Sequence, residues 1–305
     1  MKIAYIILAH NNQQHLNRLI SQLTSDNSSF FIHIDSKVNL ENFTSLTPEN
    51  EKVHYVSNRV NGRWGDIGIV KATCNALVEI DQHQIEFDRI ILLSGQDYPI
   101  KSNKEIETFF SDNLKIDFIE YTPFPVSELT FNGIHRIKHY SYNFFGRRQT
   151  YIPFKFNHGL NTKGKIINTA LQLLNYLSPK RKTPYQLKHY YGSQWFNITG
   201  KSGKEIIKYI NEHPLYFKFH KNSLLPDEMF FQTIILKIKN EDQIINNNKR
   251  LVIWEEGSSH PKIIDKQDLN LIKDSGAFFA RKFKENSLVL DEIDNLILYE
   301  LKKNI

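Results

Sequence analysis

The amino-acid sequence predicts an α/β fold, a mostly parallel sheet with helices on both faces. Three observations carry that expectation. Through the first third of the chain, apolar runs bounded by polar turns alternate with stretches whose apolar residues recur at helical spacing. Strand, helix and strand repeated in this way build a parallel sheet. After Arg89, the run to Leu93 is continuously apolar, as in a central strand buried on both faces. At 305 residues, 40% of them hydrophobic and with no break in composition, the chain can bury one large core, so residues 1–305 are expected to form a single domain.

The elements follow in order. Ile3–Ala9 reads as the first strand, and Gln13–Leu23 as a helix with Leu16, Leu19, Ile20 and Leu23 on one stripe. Residues 30–34 form a second strand that ends in Asp35, and residues 53–56 a short third one. Residues 67–80 are amphipathic, with Ile67, Val70, Ala76, Leu77 and Ile80 apolar, and 89–93 follows as the central strand. Ligands in such sheets bind beyond the carboxyl ends of the strands. Those ends carry His10, Asn11, Asp35 and the SGQD of residues 94–97. Further on, residues 203–210 predict a helix, and another is opened by Pro226-Asp227-Glu228 and runs through Met229 to about Leu236.

Charge and cysteine content narrow the function classes. The chain carries 39 basic and 33 acidic residues, a net +6, which favours anionic partners: nucleic acid, acidic lipid headgroups or a sugar nucleotide. Cys74 is the only cysteine, so an intrachain disulfide is impossible and a zinc site would need a set without a thiolate cluster. A reducing cytoplasm is the expected setting. The apolar run in MKIAYIILAHNN is too short for a signal peptide and lacks a cleavage site, and no run is long enough to span a bilayer.

Residues 131–156, FNGIHRIKHYSYNFFGRRQTYIPFKF, crowd basic and aromatic residues without a clean period. Such a segment can stack on single-stranded nucleic acid, dock on a membrane, line a sugar-binding lid, or pack its aromatics as an irregular insertion. It holds no nucleic-acid motif, and nucleic acid is not an expected partner.

Two motifs suggest chemistry. GSQWFNIT at 192–199 offers Trp195 as a flat apolar face beside Ser193, although a tryptophan is as readily core. LLPDEMFFQTII at 224–235 sets Asp227 and Glu228 at a helix start, where acids are also ordinary partners of the helix dipole. Trp254 reads as packing, and Glu255-Glu256 as acceptor contacts or a charged turn.

These motifs occur in a consistent order with RWGDIGIVKATCNAL at 63–77, LLSGQDYPIKSN at 92–103, SHPKII at 259–264 and SGAFFARKF at 275–283. Together, from His10 to Phe283, they resemble the core-2/I-branching β-1,6-N-acetylglucosaminyltransferase family, which also contains the peptide O-xylosyltransferases. The resemblance implies a GT-A fold with a Rossmann-like sheet, a UDP-sugar donor, inversion at the anomeric carbon and no divalent metal or other cofactor. It assigns the catalytic base to Glu228 and the donor diphosphate to Lys282 and Lys262. His10 and Asp35 fall where relatives contact the nucleotide, and Ser193, Trp195, Asp97 and Asp227 are assigned to substrate binding. Residues 1–110 become a nucleotide-binding half, and 111–305 an acceptor-binding and catalytic half with an insertion near 131–165.

The residues bear on these roles independently. A glutamate can take the proton of an attacking hydroxyl. The strand end IILLSGQD has Ser94 and a single Asp97 in place of an Asp-x-Asp metal site, so lysines would have to stabilise the leaving diphosphate. Vertebrate branching enzymes carry arginine where Lys262 stands, so a bidentate fork becomes a point charge here. A glycoside hydrolase would need a cooperating carboxylate pair, and a non-catalytic binding protein would leave Glu228 idle. The richness in Lys, Asn and Ile points to a bacterial gene. The expected setting is cytoplasmic, peripheral at the inner face of the plasma membrane, with a sugar, N-acetylglucosamine first and xylose or another UDP-linked sugar as the alternative, passed to a glycan or lipid-linked glycan in surface polysaccharide synthesis.

Overall fold

Alternation along the first strand decides the layering. Ile3, Tyr5, Ile7 and Ala9 belong to one buried cluster, and Ala4 and Ile6 to another on the opposite face. The computed structural model describes residues 1–45, 51–144, 147–152, 160–258 and 260–303. Its strands are β1 (Ile3–Ala9), β2 (Ser28–Ile34), β3 (Val53–Tyr55), β4 (Arg89–Ser94), β5 (Asp97–Pro99), β6 (Asp117–Ile119), β7 (Thr122–Pro123), β8 (Ser141–Phe144), β9 (Arg147–Thr150), β10 (Tyr190–Tyr191), β11 (Phe196–Thr199), β12 (Ile244–Ile245), β13 (Arg250–Val252) and β14 (Phe279–Arg281). The helices are α1 (Gln13–Leu23), α2 (Glu41–Thr44), α3 (Gly68–Gln82), α4 (Asn103–Asp112), α5 (His135–Lys138), α6 (Thr162–Leu177), α7 (Gly200–Glu212), α8 (Pro214–His220), α9 (Phe230–Ile238), α10 (Leu269–Asp274) and α11 (Val289–Lys303).

The central sheet has the order β12-β6-β11-β4-β1-β2-β3. Strands β4, β1, β2 and β3 are parallel, as are β6 and β12, so the expected α/β sheet is present. It draws strands from both sides of residue 110. One cluster packs α1, α4 and α11 against the sheet through Leu16, Leu19, Ile106, Phe110, Leu290 and Ile293. The other packs α3, α7 and α9 through Val70, Leu77, Ile206, Phe230 and Ile234. Each such side chain, fully buried, contributes roughly 1.5–3 kcal/mol of transfer free energy.

One strand departs from the parallel pattern, and it matters for the site. β11 runs antiparallel to both β4 and β6. With Thr199 opposite Arg89 and Asn197 opposite Ile91, the segment that precedes β11 emerges at the carboxyl end of β4. The reversed strand therefore delivers Gln194 and Trp195 to the edge where β1, β2 and β4 end. A second, smaller sheet, β13-β14-β5, lies beside that edge.

The helix expected from Pro226 onward is interrupted. Pro226–Glu228 is a separate 3₁₀ turn, entered through Leu225 at φ 48 and left through Met229 at φ −139, and α9 begins only at Phe230. Backbone bonds to other segments hold the turn out of helical register: Leu225 N–H donates to the Gly65 carbonyl, and Gly192 N–H to that of Glu228.

Candidate active site

A cavity of about 1440 Å³ opens at the carboxyl ends of β1, β2 and β4. His10 and Asn11 follow β1 into it, Asp35 and Lys37 follow β2, and Ser94, Gly95 and Gln96 close β4. Gln194, Trp195 and Arg281 form a second wall, and Arg63 and Trp64 a third. The basic aromatic segment supplies much of the remainder, with Phe144, Arg147, Arg148 and Gln149 from β8 and β9 and with Asn161, Lys163, Gly164 and Ile167 from α6 and its N-cap. Residues 145–146 and 153–159 of that segment lie outside the described residues.

Asp35 is both a turn former and a cavity residue. Its carboxylate accepts the backbone N–H of Lys37 and of Gly62, each at 2.9 Å, while it remains on the cavity wall. His10 stands beside it. Desolvation lowers the His10 pKa, Asp35 raises it, and the charges of Lys37 and Lys282 lower it further. Lys282 does not line the cavity, but its charge is felt at His10 on the wall, and it makes no salt bridge among the described residues.

Asp97, expected among the substrate-binding residues, does not reach the cavity. Its side chain is fully buried and lies off the cavity wall. The backbone N–H and hydroxyl of Ser94 donate to it at 3.0 and 2.9 Å, and the Nε atoms of Arg250 and Arg281 lie 3.5 and 3.6 Å away. This follows from strand register, since Arg281 stands opposite Asp97 and Val252 opposite Arg281 in the small sheet. Both guanidinium groups also sit over Trp195, 4.8 Å (Arg250) and 4.4 Å (Arg281) from the ring centroid. Trp195 is thus a core residue that also presents a surface to the cavity.

Glu228 does not line this cavity but stands on a turn braced against two of its walls. Leu225 is tied to Gly65, next to Trp64, and the Glu228 carbonyl to Gly192, two residues before Gln194. Gly192 has to be glycine, because a Cβ there would lie 1.9 Å from the Glu120 carbonyl oxygen. Arg136 of α5 donates to Glu228 Oε2 at 2.5 Å, and the Tyr191 ring lies under its guanidinium, 5.3 Å away. Glu228 Oε1 has no hydrogen bond among the described residues. Asp227 is buried with Oδ1 unpartnered. Burial, and then the charge of Glu228, push its pKa up to about 7.

Two other expected residues are placed elsewhere. The Lys262 ammonium is held by both oxygens of Asp268, at 2.7 and 2.9 Å, off the cavity wall. Its backbone nevertheless adjoins that of Lys282, whose N–H donates to the Lys262 carbonyl. Ser193 also misses the wall, and its carbonyl accepts from the Gln232 side chain. Trp254 is not packed but 59% exposed, and Glu255 and Glu256 are exposed beside it.

With this geometry, the Core-2/I-Branching enzyme family matches residues 3–273. The chain belongs to that family. Similar proteins include Arabidopsis thaliana beta-glucuronosyltransferase GlcAT14B, 23% identical over 98% of this chain and 66% of the relative. Rat xylosyltransferase 2 is 24% identical over 96% of this chain and 33% of its own length. Mouse beta-1,3-galactosyl-O-glycosyl-glycoprotein beta-1,6-N-acetylglucosaminyltransferase 4 is 23% identical over 92% and 62%. The chain therefore spans from a third to about two thirds of these relatives.

Within this Core-2/I-Branching chain, Arg136, Arg148, Arg250 and Arg281 are the site residues that sequence reading misses. Arg281 had a usable signal, standing next to Lys282 in the FFARKF motif. Arg136 and Arg148 lie in the basic aromatic segment at 131–156, which marks the region but not the residue, and Arg250 comes from a remote segment with no local pattern to mark it.

Proposed function

We propose that this chain is an inverting, metal-independent glycosyltransferase that moves a sugar, N-acetylglucosamine first among the candidates, from a UDP-sugar to a hydroxyl of a glycan or lipid-linked glycan in β linkage. The observation that carries the reading is the joint bracing of the Pro226–Glu228 turn and the Trp195–Arg281 wall around one cavity at the strand ends. Asp35 and His10 suit the nucleoside end, and Arg281 with Lys282 suits the diphosphate. The Glu228 carboxylate takes the proton of the acceptor hydroxyl as its oxygen bonds to the anomeric carbon. The bond from that carbon to the diphosphate breaks, and the cations stabilise the charge left on the phosphate. Arg136 holds one oxygen of Glu228 and leaves Oε1 for the proton. Metal independence is supported by the use of Asp97, the one acid of SGQD, as a counter-ion to two arginines. A role in bacterial surface polysaccharide synthesis at the cytoplasmic face of the membrane completes the proposal.

A second donor has its own support. The cavity wall carries Lys37, Arg63, Arg147, Arg148, Lys163 and Arg281; Lys37, Arg148 and Arg281 are paired with Asp35, Asp66 and Asp97, and Arg63 and Arg147 add positive charge beyond the two residues assigned to the diphosphate. Together with the glucuronosyltransferase named among the relatives, this favours a uronate sugar as the alternative. Slow hydrolysis of a UDP-sugar panel, read by mass spectrometry, separates the two: turnover of UDP-N-acetylglucosamine alone supports the first and of UDP-glucuronate alone the second, while turnover of neither counts against a UDP-sugar transferase.

A further inference from the structure

Helix α6 buries Leu171 but leaves most of its large apolar side chains in water. A surface helix ordinarily turns its apolar stripe to the core and its polar side to water. Here the inward face carries Asn168, whose side chain bonds both backbone groups of Ile152, and Asn175, which does the same for Tyr140. The outward face carries Ile166, Leu173, Tyr176 and Leu177, exposed by 67%, 57%, 85% and 69%. Ile166, Leu173 and Leu177 share one stripe by their spacing. Exposed lysines stand at both ends, Lys165 in the first turn and Lys180 and Lys182 just beyond the last. Residues 129–204 contain no Asp or Glu at all.

We propose that this face of α6 docks on an anionic lipid bilayer. The charge decides the occupant: a second copy of the helix would bring lysines to lysines with no acid between them, whereas an anionic leaflet supplies both the opposite charge and an apolar layer. Tyr176 suits the headgroup level, where a ring with one polar tip is favoured. No helix among the described residues is long and apolar enough to cross a membrane, so the contact is one of surface insertion. Because Asn161, Lys163, Gly164 and Ile167 at the start of the same helix line the cavity, docking sets the cavity beside the bilayer. The docking surface stands independently of the transferase reading, and only the delivery of a lipid-borne acceptor rests on it.

The test is co-sedimentation of the full chain with vesicles of phosphatidylcholine alone and of phosphatidylcholine mixed with phosphatidylglycerol, with UDP titrated separately. Binding is expected to the anionic vesicles only and to weaken with salt. Leu173→Gln/Leu177→Gln and Lys180→Glu/Lys182→Glu should each reduce it about tenfold or more while UDP affinity and the circular dichroism spectrum stay unchanged. Three results would overturn the proposal: no binding to anionic vesicles, binding by both variants as strong as the parent's, or a concentration-dependent dimer that Leu173→Gln/Leu177→Gln abolishes. Loss of UDP binding with vesicle binding intact would count against the transferase reading alone.

Discussion

Three acids close together in function have different fates, and each yields a measurement. Asp97 is fully buried between Arg250 and Arg281, so Asp97→Ala leaves two guanidinium groups without their counter-ion and should cost about 3–5 kcal/mol in denaturant unfolding. Glu228→Gln keeps a hydrogen-bond acceptor for Arg136 but removes the base. It should fold and bind UDP as the parent does, and lose transfer by about 10²-fold to 10⁴-fold. Asp227 has its pKa raised from 3.8 to about 7 in the folded chain. The native state therefore holds an extra proton between those values, and the contribution of this group to stability declines as pH rises through that window. Asp227→Asn should flatten the dependence of Tm on pH there, and an unchanged slope would show that Asp227 does not titrate as described. Sequence alone marked Asp227 and Glu228 by motif, but it could not tell a buried counter-ion such as Asp97 from a ligand. That distinction depends on cross-strand register between segments more than 150 residues apart in the chain, as with Asp97 and Arg281.

At the scale of elements, the first half of the fold was legible because its signals are local. Strand β1 and helix α1 have the bounds that periodicity gives them, and α3 differs from its expected range by only a residue or two at each end. The Pro-Asp-Glu segment was misread as a continuous helix because its 3₁₀ turn is fixed by Gly65 and Gly192, not by its own residues. Helices α4, α6 and α11 went unread. The last is tied down by Arg18, whose Nη2 lies 2.7 Å from Asp291 and 2.6 Å from Asp294, a contact between opposite ends of the chain. The reversal of β11 was equally invisible, although the sequence marks the GSQW that precedes it as a motif. Gly192→Ala tests how that segment is held. The added Cβ would collide with backbone at Glu120, so the variant should lose stability by about 1–3 kcal/mol and bind UDP more weakly, as seen by calorimetry, since the shift carries Gln194 and Trp195 with it.

Over the whole molecule, the sheet, the small β13-β14-β5 sheet and the basic segment converge on one cationic cavity, and the account depends on what that cavity holds. Isothermal titration with UDP in EDTA measures it most directly. Saturable binding that Arg281→Ala and Lys282→Ala each weaken about tenfold is the predicted result. Heat of binding that vanishes in EDTA and returns with manganese would contradict a diphosphate held by side-chain cations alone.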